Sequence, residues 1–339
     1  MKKLLRPNIQ NMVPYTSARD AFSGKEVIAL DANENPFGTM NRYPDPYQSK
    51  LKQKLAELKG IGPEHLFIGN GSDEIIDLAL RIFCEPQIDK ALTFYPTYGM
   101  YEVCADINNV ELITVPLNQD FQIDRVQLEA HLTNENLKLI FICSPNNPTG
   151  NLIKQGDIEY ILKHFHGIVL VDEAYIDFAN AESSLSSIHS YDRLIVCQTM
   201  SKAWGLAAAR IGIAYANAET VSLFNKVKPP YNVSELNQKA ALNALDNPDL
   251  YTESIALILS ERERLRGALS SNSLVKRIYP SDANFLLIEV EKPNEVYDQL
   301  IEQGIVVRNR STQITGCLRI SIGTPSENDQ LLNAFTRIA

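Results

Sequence analysis

The sequence predicts an α/β protein, with a large unit built on a mostly parallel, seven-stranded sheet between helices and a smaller α+β unit after it. Three observations lead there. Seven short apolar runs recur through the first two thirds of the chain. Amphipathic stretches of helical spacing separate several of them, and strand–helix alternation of this kind builds layered sheets with right-handed crossovers. Beyond about residue 233 the rhythm changes to long helical patterns followed by short strands.

In order, the strand-like runs are HLFIG (65–69), KALTFY (90–95), ELITVPL (111–117), LKLIFICS (137–144), GIVLVDE (167–173), RLIVCQTM (193–200) and RIGIAYA (210–216). Several are apolar almost throughout, as strands covered on both faces must be. SDEIIDLALRIF (72–83), TYGMYEVCA (97–105), IDRVQLEAHL (123–132) and QGDIEYILKHF (155–165) read as the intervening helices. In the last third, 235–247 and 251–271 carry helical periodicity. NFLLIEV, EVYDQLIEQG, GIVVR and CLRISI then give strand, helix, strand and strand. KPPYNVS (228–234) breaks the pattern with two prolines. The expected division is a large domain at 30–232 and a small domain made of 1–29 and 233–339.

The chain has 339 residues, enough for about two domains. Its net charge of −9, with no stripe of Lys or Arg, argues against nucleic acid or an anionic membrane as partner. No apolar stretch approaches the ~20 residues of a membrane span. Five dispersed cysteines without a CxxC pair suggest reduced thiols and a cytoplasmic setting. The basic start has no apolar segment behind it, which argues against a signal peptide. His164 and His166 lack a carboxylate or cysteine cluster, so no metal is expected.

The chemistry centres on QTMSKAWGLAAAR (198–210). A strand delivers Lys202 among small and apolar residues, where desolvation disfavours the ammonium and leaves a nucleophilic amine. Thr199, Ser201 and Arg210 beside it are donors for an anion. An aldehyde that carries a phosphate satisfies all four, which points to pyridoxal 5'-phosphate. Such a cofactor needs a carboxylate to keep its ring nitrogen protonated. Asp172 ends the apolar strand GIVLVDE, where α/β sheets place ligands, although alone it would read as a turn or cap residue. Tyr175 lies within reach of the ring's phenolic oxygen. IGNGSDEIIDLAL joins a strand to a helix start through a tight turn, so Gly71, Ser72 and Asp73 offer backbone donors to a phosphate as well as an ordinary helix cap. Asn147, in the turn CSPNNPTG, is a further donor to the ring. Arg319, inside the apolar run CLRISI, needs a buried anion to offset its charge.

NGSDE, NNPTG, DEAY and SKxxGLxxxR, in that order, resemble the fold-type I pyridoxal-phosphate aminotransferases over nearly the whole chain. PYTSARD, LDANENPFG, NRYPDP, YPTYGMY, VVRNR and GCLRISIGT resemble the histidinol-phosphate group within that family. The resemblance implies a homodimer converting histidinol phosphate and 2-oxoglutarate to imidazole acetol phosphate and glutamate. It implies that Lys202 carries the cofactor aldehyde and shuttles the proton, that Asp172 meets the pyridinium, and that Asn147 and Tyr175 hold the phenolic oxygen. Gly71, Ser72, Asp73, Thr199, Ser201 and Arg210 would hold the phosphate, with Tyr43 arriving from a neighbouring subunit and Tyr98 stacking on the ring. Tyr15, Arg308 and Arg319 would meet the substrate anion, with Arg310 a rival to Arg308. Alternatives on the same scaffold are an aromatic amino acid transaminase and a threonine-phosphate decarboxylase. One departure is AWGLAAAR, which has alanines where many relatives carry a glycine and a bulky residue before the arginine.

Overall fold

The computed structural model describes residues 1–15, 28 and 30–339. Part of PYTSARD and of the expected 1–29 segment lies outside them. Seven strands form the main sheet: β1 (Leu66–Asn70), β2 (Lys90–Tyr95), β3 (Glu111–Pro116), β4 (Leu137–Cys143), β5 (Ile168–Asp172), β6 (Leu194–Thr199) and β7 (Ile211–Tyr215). Their order is β1-β7-β6-β5-β4-β2-β3. Only β7 runs antiparallel to its neighbours. β2 through β6 are parallel, and in β4 to β7 nearly every residue is buried. All seven apolar runs therefore become strands.

Eleven helices are present among the described residues: α1 (Pro7–Asn11), α2 (Ser49–Lys59), α3 (Ser72–Phe83), α4 (Met100–Ile107), α5 (Arg125–Leu132), α6 (Gln155–His164), α7 (Ala218–Val227), α8 (Glu235–Leu245), α9 (Pro248–Ser270), α10 (Pro293–Glu302) and α11 (Pro325–Ile338). α1 to α8 cover both faces of the sheet and create two cores. One holds Leu51, Leu55, Ile140, Val169 and Ile161. The other holds Ile76, Leu80, Phe83, Phe141 and Phe224. Ile9 of α1 packs in the second core, and Ala241 of α8 in the first. In packing, both go with the large sheet, although the sequence grouped them with the small unit.

The small unit is an antiparallel sheet in the order β10-β11-β9-β8, formed by β8 (Val275–Ile278), β9 (Phe285–Val290), β10 (Arg308–Asn309) and β11 (Cys317–Ser321). α9, α10 and α11 cover it around Leu265, Leu300 and Phe335. GIVVR is largely not a strand. Gly304, at φ +77°, and Ile305 spend their N–H groups closing α10 on the carbonyls of Ile301 and Leu300, so pairing with β11 starts only at Arg308. A small cluster of Tyr175, Phe178, Ala203, Ala283 and Phe285 seats β9 against the segments that leave β5 and β6. That contact brings the small sheet's arginines to the carboxyl ends of the parallel strands. No described helix is long and apolar enough to cross a membrane.

Candidate active site

The carboxyl ends of β2, β4, β5 and β6, with the start of α3 and the edge of the small sheet, enclose a cavity of about 320 Å³. Ser72, Asp73, Tyr98, Asn147, Asp172, Tyr175, Thr199, Ser201, Lys202, Arg210, Arg308 and Arg319 all line it. Residues scattered over some 250 positions thus converge, as the strand-end rule for α/β sheets requires.

The first anion-binding corner is built from backbone. Gly71 caps α3 at φ +79°, and its N–H donates to the Arg210 carbonyl at 2.8 Å. A Cβ on Gly71 would lie 2.4 Å from Arg210 Nη2, so only glycine lets the guanidinium lie over the helix start. Arg210 itself holds a left-handed φ of +50°, uncommon for a side-chain-bearing residue and often retained at binding sites. The three alanines before it form a short 3-10 turn, so the departure at AWGLAAAR leaves the arginine in place. The helix start offers free N–H groups and a positive dipole end. Thr199 Oγ1 donates to the Ile211 carbonyl at 3.1 Å and accepts from Ser201 N–H at 3.1 Å, which fixes both hydroxyls at this corner. Asp73 accepts from Tyr98 Oη at 3.0 Å and from Arg210 Nη2 at 3.3 Å.

β7 crosses under this turn. A Cβ at Gly212 would sit 2.4 Å from both Gly71 C and Ser72 N. Gly212→Ala must push the turn off the strand. The expected cost is about 2 kcal/mol by urea unfolding, with weakened phosphate binding at the displaced helix start.

Asp172 is 2 % exposed. Its Oδ2 accepts from Tyr101 Oη at 2.9 Å and its Oδ1 from Ala174 N–H at 3.1 Å. Burial pushes its pKa up to about 6, against the lowering effect of those two donors. Neither partner is a cation, so a buried carboxylate here awaits one. The folded pKa lies above the unfolded value. The resulting stabilisation is therefore complete below about pH 4 and is lost as pH rises through 6. Asp172→Asn should thus stabilise the cofactor-free protein above pH 6 by on the order of 2–3 kcal/mol. The gap should close toward pH 4 in melts taken across that range.

Lys202 is exposed rather than buried as its apolar neighbours predict. The chain turns at the end of β6, and Ala203 takes the buried position while the lysine lines the open cavity. Partial burial and the charge of Arg319 still lower its pKa, with Asp172 opposing them. Its Nζ lies 5.5 Å from the centre of the Tyr175 ring. Tyr175 is buried, and burial raises its pKa. Asn147 is buried as well, and its Oδ1 accepts from Arg319 Nη1.

A second anion-binding corner comes from the small sheet. Arg308 and Arg319 are directly opposed across β10 and β11, an arrangement that like charges disfavour unless an anion joins them. Arg310 also lines the cavity. Burial and its two arginine neighbours push its pKa down to about 10. Arg310 Nη1 donates to the Gln313 amide at 3.3 Å, while its buried Nε has no partner among the described residues. Burial also lowers the pKa of Arg319. Five basic side chains and two carboxylates line one cavity, so it favours anionic guests.

Tyr15 and Tyr43 lie outside the cavity. Tyr15 is 69 % exposed beside Tyr47 and Lys52 on another face. Tyr43, expected to act from a neighbouring subunit, is half exposed and stacks on Tyr231 at 4.5 Å between ring centres. The sequence reading missed Tyr101, Cys143 and Ala174 and left Arg310 as a rival; the last three line the site. Tyr101 stands three positions after Tyr98 at the start of a helix, a spacing that was visible. No cluster of metal-ligating side chains exists among the described residues.

A seven-stranded α/β sheet with a lysine, a buried aspartate and two cationic corners at its strand ends defines a cofactor-dependent enzyme. Residues 17–335 match the family described as aminotransferase class I and II, and the chain belongs to that family. It is 51 % identical to the histidinol-phosphate aminotransferase of Parabacteroides distasonis over 99 % of this chain and 98 % of that one. It is 49 % identical to the histidinol-phosphate aminotransferase of Christiangramia forsetii over 100 % of this chain and 98 % of the relative. A solved histidinol-phosphate aminotransferase from Sinorhizobium meliloti, in complex with pyridoxal-5'-phosphate, superposes with a TM-score of 0.80 at 26 % identity, covering 98 % of each chain.

Proposed function

We propose that this chain is a pyridoxal-phosphate-dependent transaminase that takes the amino group of histidinol phosphate and passes it to 2-oxoglutarate. The observation that carries the reading is the pair of separate cationic corners in one cavity, with Lys202 in the same wall. One corner suits the phosphate of the cofactor. The other suits the anionic end of either substrate, phosphate ester or dicarboxylate, because guanidinium forks accept both.

The residues present fit pyridoxal phosphate. Buried Asp172 has no cation among its hydrogen-bond partners, the Gly71 turn lets the Arg210 guanidinium lie over a helix start, and Asn147 and Tyr175 line the same cavity as the lysine. When bound, the cofactor supplies an aldehyde for amines and a ring that takes up the electron pair left when a proton departs the substrate carbon. Lys202 Nζ holds the cofactor and then moves that proton, for which a lowered pKa keeps it available as a base. Asp172 would meet the ring nitrogen as a carboxylate and keep it protonated. Gly71, Ser72, Asp73, Thr199, Ser201 and Arg210 hold the phosphate, with Asp73 acting through Arg210 and Tyr98. Tyr98, in the cavity wall, would cover one face of the ring. Arg319 with Arg308 or Arg310 would orient the substrate anion, which Tyr15 would also meet, and in a homodimer Tyr43 would reach the phosphate of the neighbouring subunit, although neither tyrosine lines this chain's own cavity. This activity belongs to histidine biosynthesis, and the five free, buried cysteines suit a cytoplasmic enzyme.

A half-reaction scan tests the proposal. The loaded enzyme is mixed with single amines, and the change in cofactor absorbance is followed. Histidinol phosphate and glutamate should each convert the cofactor, and tyrosine or phenylalanine far more slowly. A preference for the aromatic acids, or release of carbon dioxide without need of 2-oxoglutarate, would overturn it.

A further inference from the structure

We infer that Tyr101 is a positioning residue of this site: its buried hydroxyl fixes the Asp172 carboxylate and joins it mechanically to Tyr98. This inference rests on the function proposed above. Tyr101 is fully buried, and its Oη donates to Asp172 Oδ2 at 2.9 Å. It is the one side chain that hydrogen-bonds this carboxylate among the described residues. Its ring lies flat on Phe141 of β4, 4.8 Å between centres and 4° between planes. Its edge meets Tyr98 at 5.7 Å and 89°. The phenol is therefore held from two sides, and its hydroxyl has a fixed direction. Tyr98 in turn donates to Asp73, which accepts from Arg210. One chain of contacts thus links the carboxylate for the ring nitrogen, the aromatic ring for the cofactor face and the phosphate corner.

Electrostatics agree with the geometry. Besides Tyr101, the titratable groups among the described residues that face Asp172 are Asp73, Lys202, Cys143, Cys197, Tyr98 and Tyr175. Of these Lys202 is the cation that favours the ionised form, and Asp73 opposes it. The Tyr101 hydrogen bond is the largest influence keeping Asp172 ionised. A hydroxyl bonded to a buried charge shifts its ionisation by roughly one to two pH units.

Tyr101→Phe keeps the ring packing and removes only the donor. In the cofactor-free protein, the infrared band of the protonated Asp172 carboxyl should then titrate about one pH unit higher than in the wild type. In the loaded enzyme, the acid limb of kcat for the glutamate half-reaction should move up by a similar amount, with kcat near pH 7 down about tenfold and KM little changed. A double-mutant comparison separates positioning from mere packing. Tyr101→Phe should weaken cofactor affinity in the wild-type background but not when added to Asp172→Asn. An unmoved carboxyl band and acid limb, or an equal loss of affinity in both backgrounds, would overturn the inference. A wild-type protein that binds no cofactor would instead overturn the proposed function, and the infrared titration would still decide whether Tyr101 controls Asp172.

Discussion

Replacing Lys202 with alanine is expected to reduce transamination by about four orders of magnitude, because one residue is both cofactor anchor and proton carrier. The loss should fall on kcat, and the characteristic absorbance of the anchored cofactor should vanish. Cofactor should still bind, more weakly, because the phosphate corner at Gly71, Ser72 and Arg210 does not involve the lysine amine. The fold should survive too: Lys202 is exposed, so its truncation leaves no cavity in either core. Stopped-flow measurement of the glutamate half-reaction, beside a urea melt, separates these effects. Near-normal turnover in this variant would contradict the role.

Arg319→Gln is expected to lower kcat/KM for both substrates by about a thousandfold, the scale for removing one partner of a hydrogen-bonded ion pair within a site. Arg319 is the central member of its corner. It faces Arg308 across the strand pair, its charge lowers the pKa of Arg310, and it donates to Asn147. Its removal therefore disturbs both substrate anchoring and the amide beside the cofactor, and kcat should fall together with a rise in KM. Losing one of three clustered cations should also let Arg310 and Lys202 hold their protons more firmly, because Arg319 depresses both. The acid limb set by Lys202 as the base should move upward. Steady-state kinetics against pH with both substrates would show this. A loss confined to histidinol phosphate, with glutamate unaffected, would contradict a shared anion corner.

Much of this architecture was legible because strand runs and turn residues announce themselves locally. The seven apolar runs all became strands of the main sheet, and Asp172, Asn147 and Thr199 stand where parallel strands end. The weaker signals were those decided by distant packing. α2 reads as charged, and only Leu51, Leu55 and Ala56 tie it to the first core. The edge strand before Asn309 was overestimated, because the helix ahead of it consumed the donors. α11 went unread, although its start carries a capping box between Thr324 and Glu327 with a proline behind the cap. The exposure of Lys202 could not be read from its apolar neighbours, since the turn after β6 sends Ala203 inward instead. Tyr101 was hidden for another reason: its partner lies 71 residues away, and only the stacking on Phe141 aims the hydroxyl at Asp172.

The covalent attachment of the cofactor at one amine can be located chemically. The purified enzyme is loaded with pyridoxal phosphate, treated with borohydride to fix the carbon–nitrogen bond, digested and mapped by mass spectrometry. The added mass is expected on the peptide that contains Lys202 and nowhere else at one equivalent per chain. Stoichiometric label on any other lysine, or none at all, would contradict it.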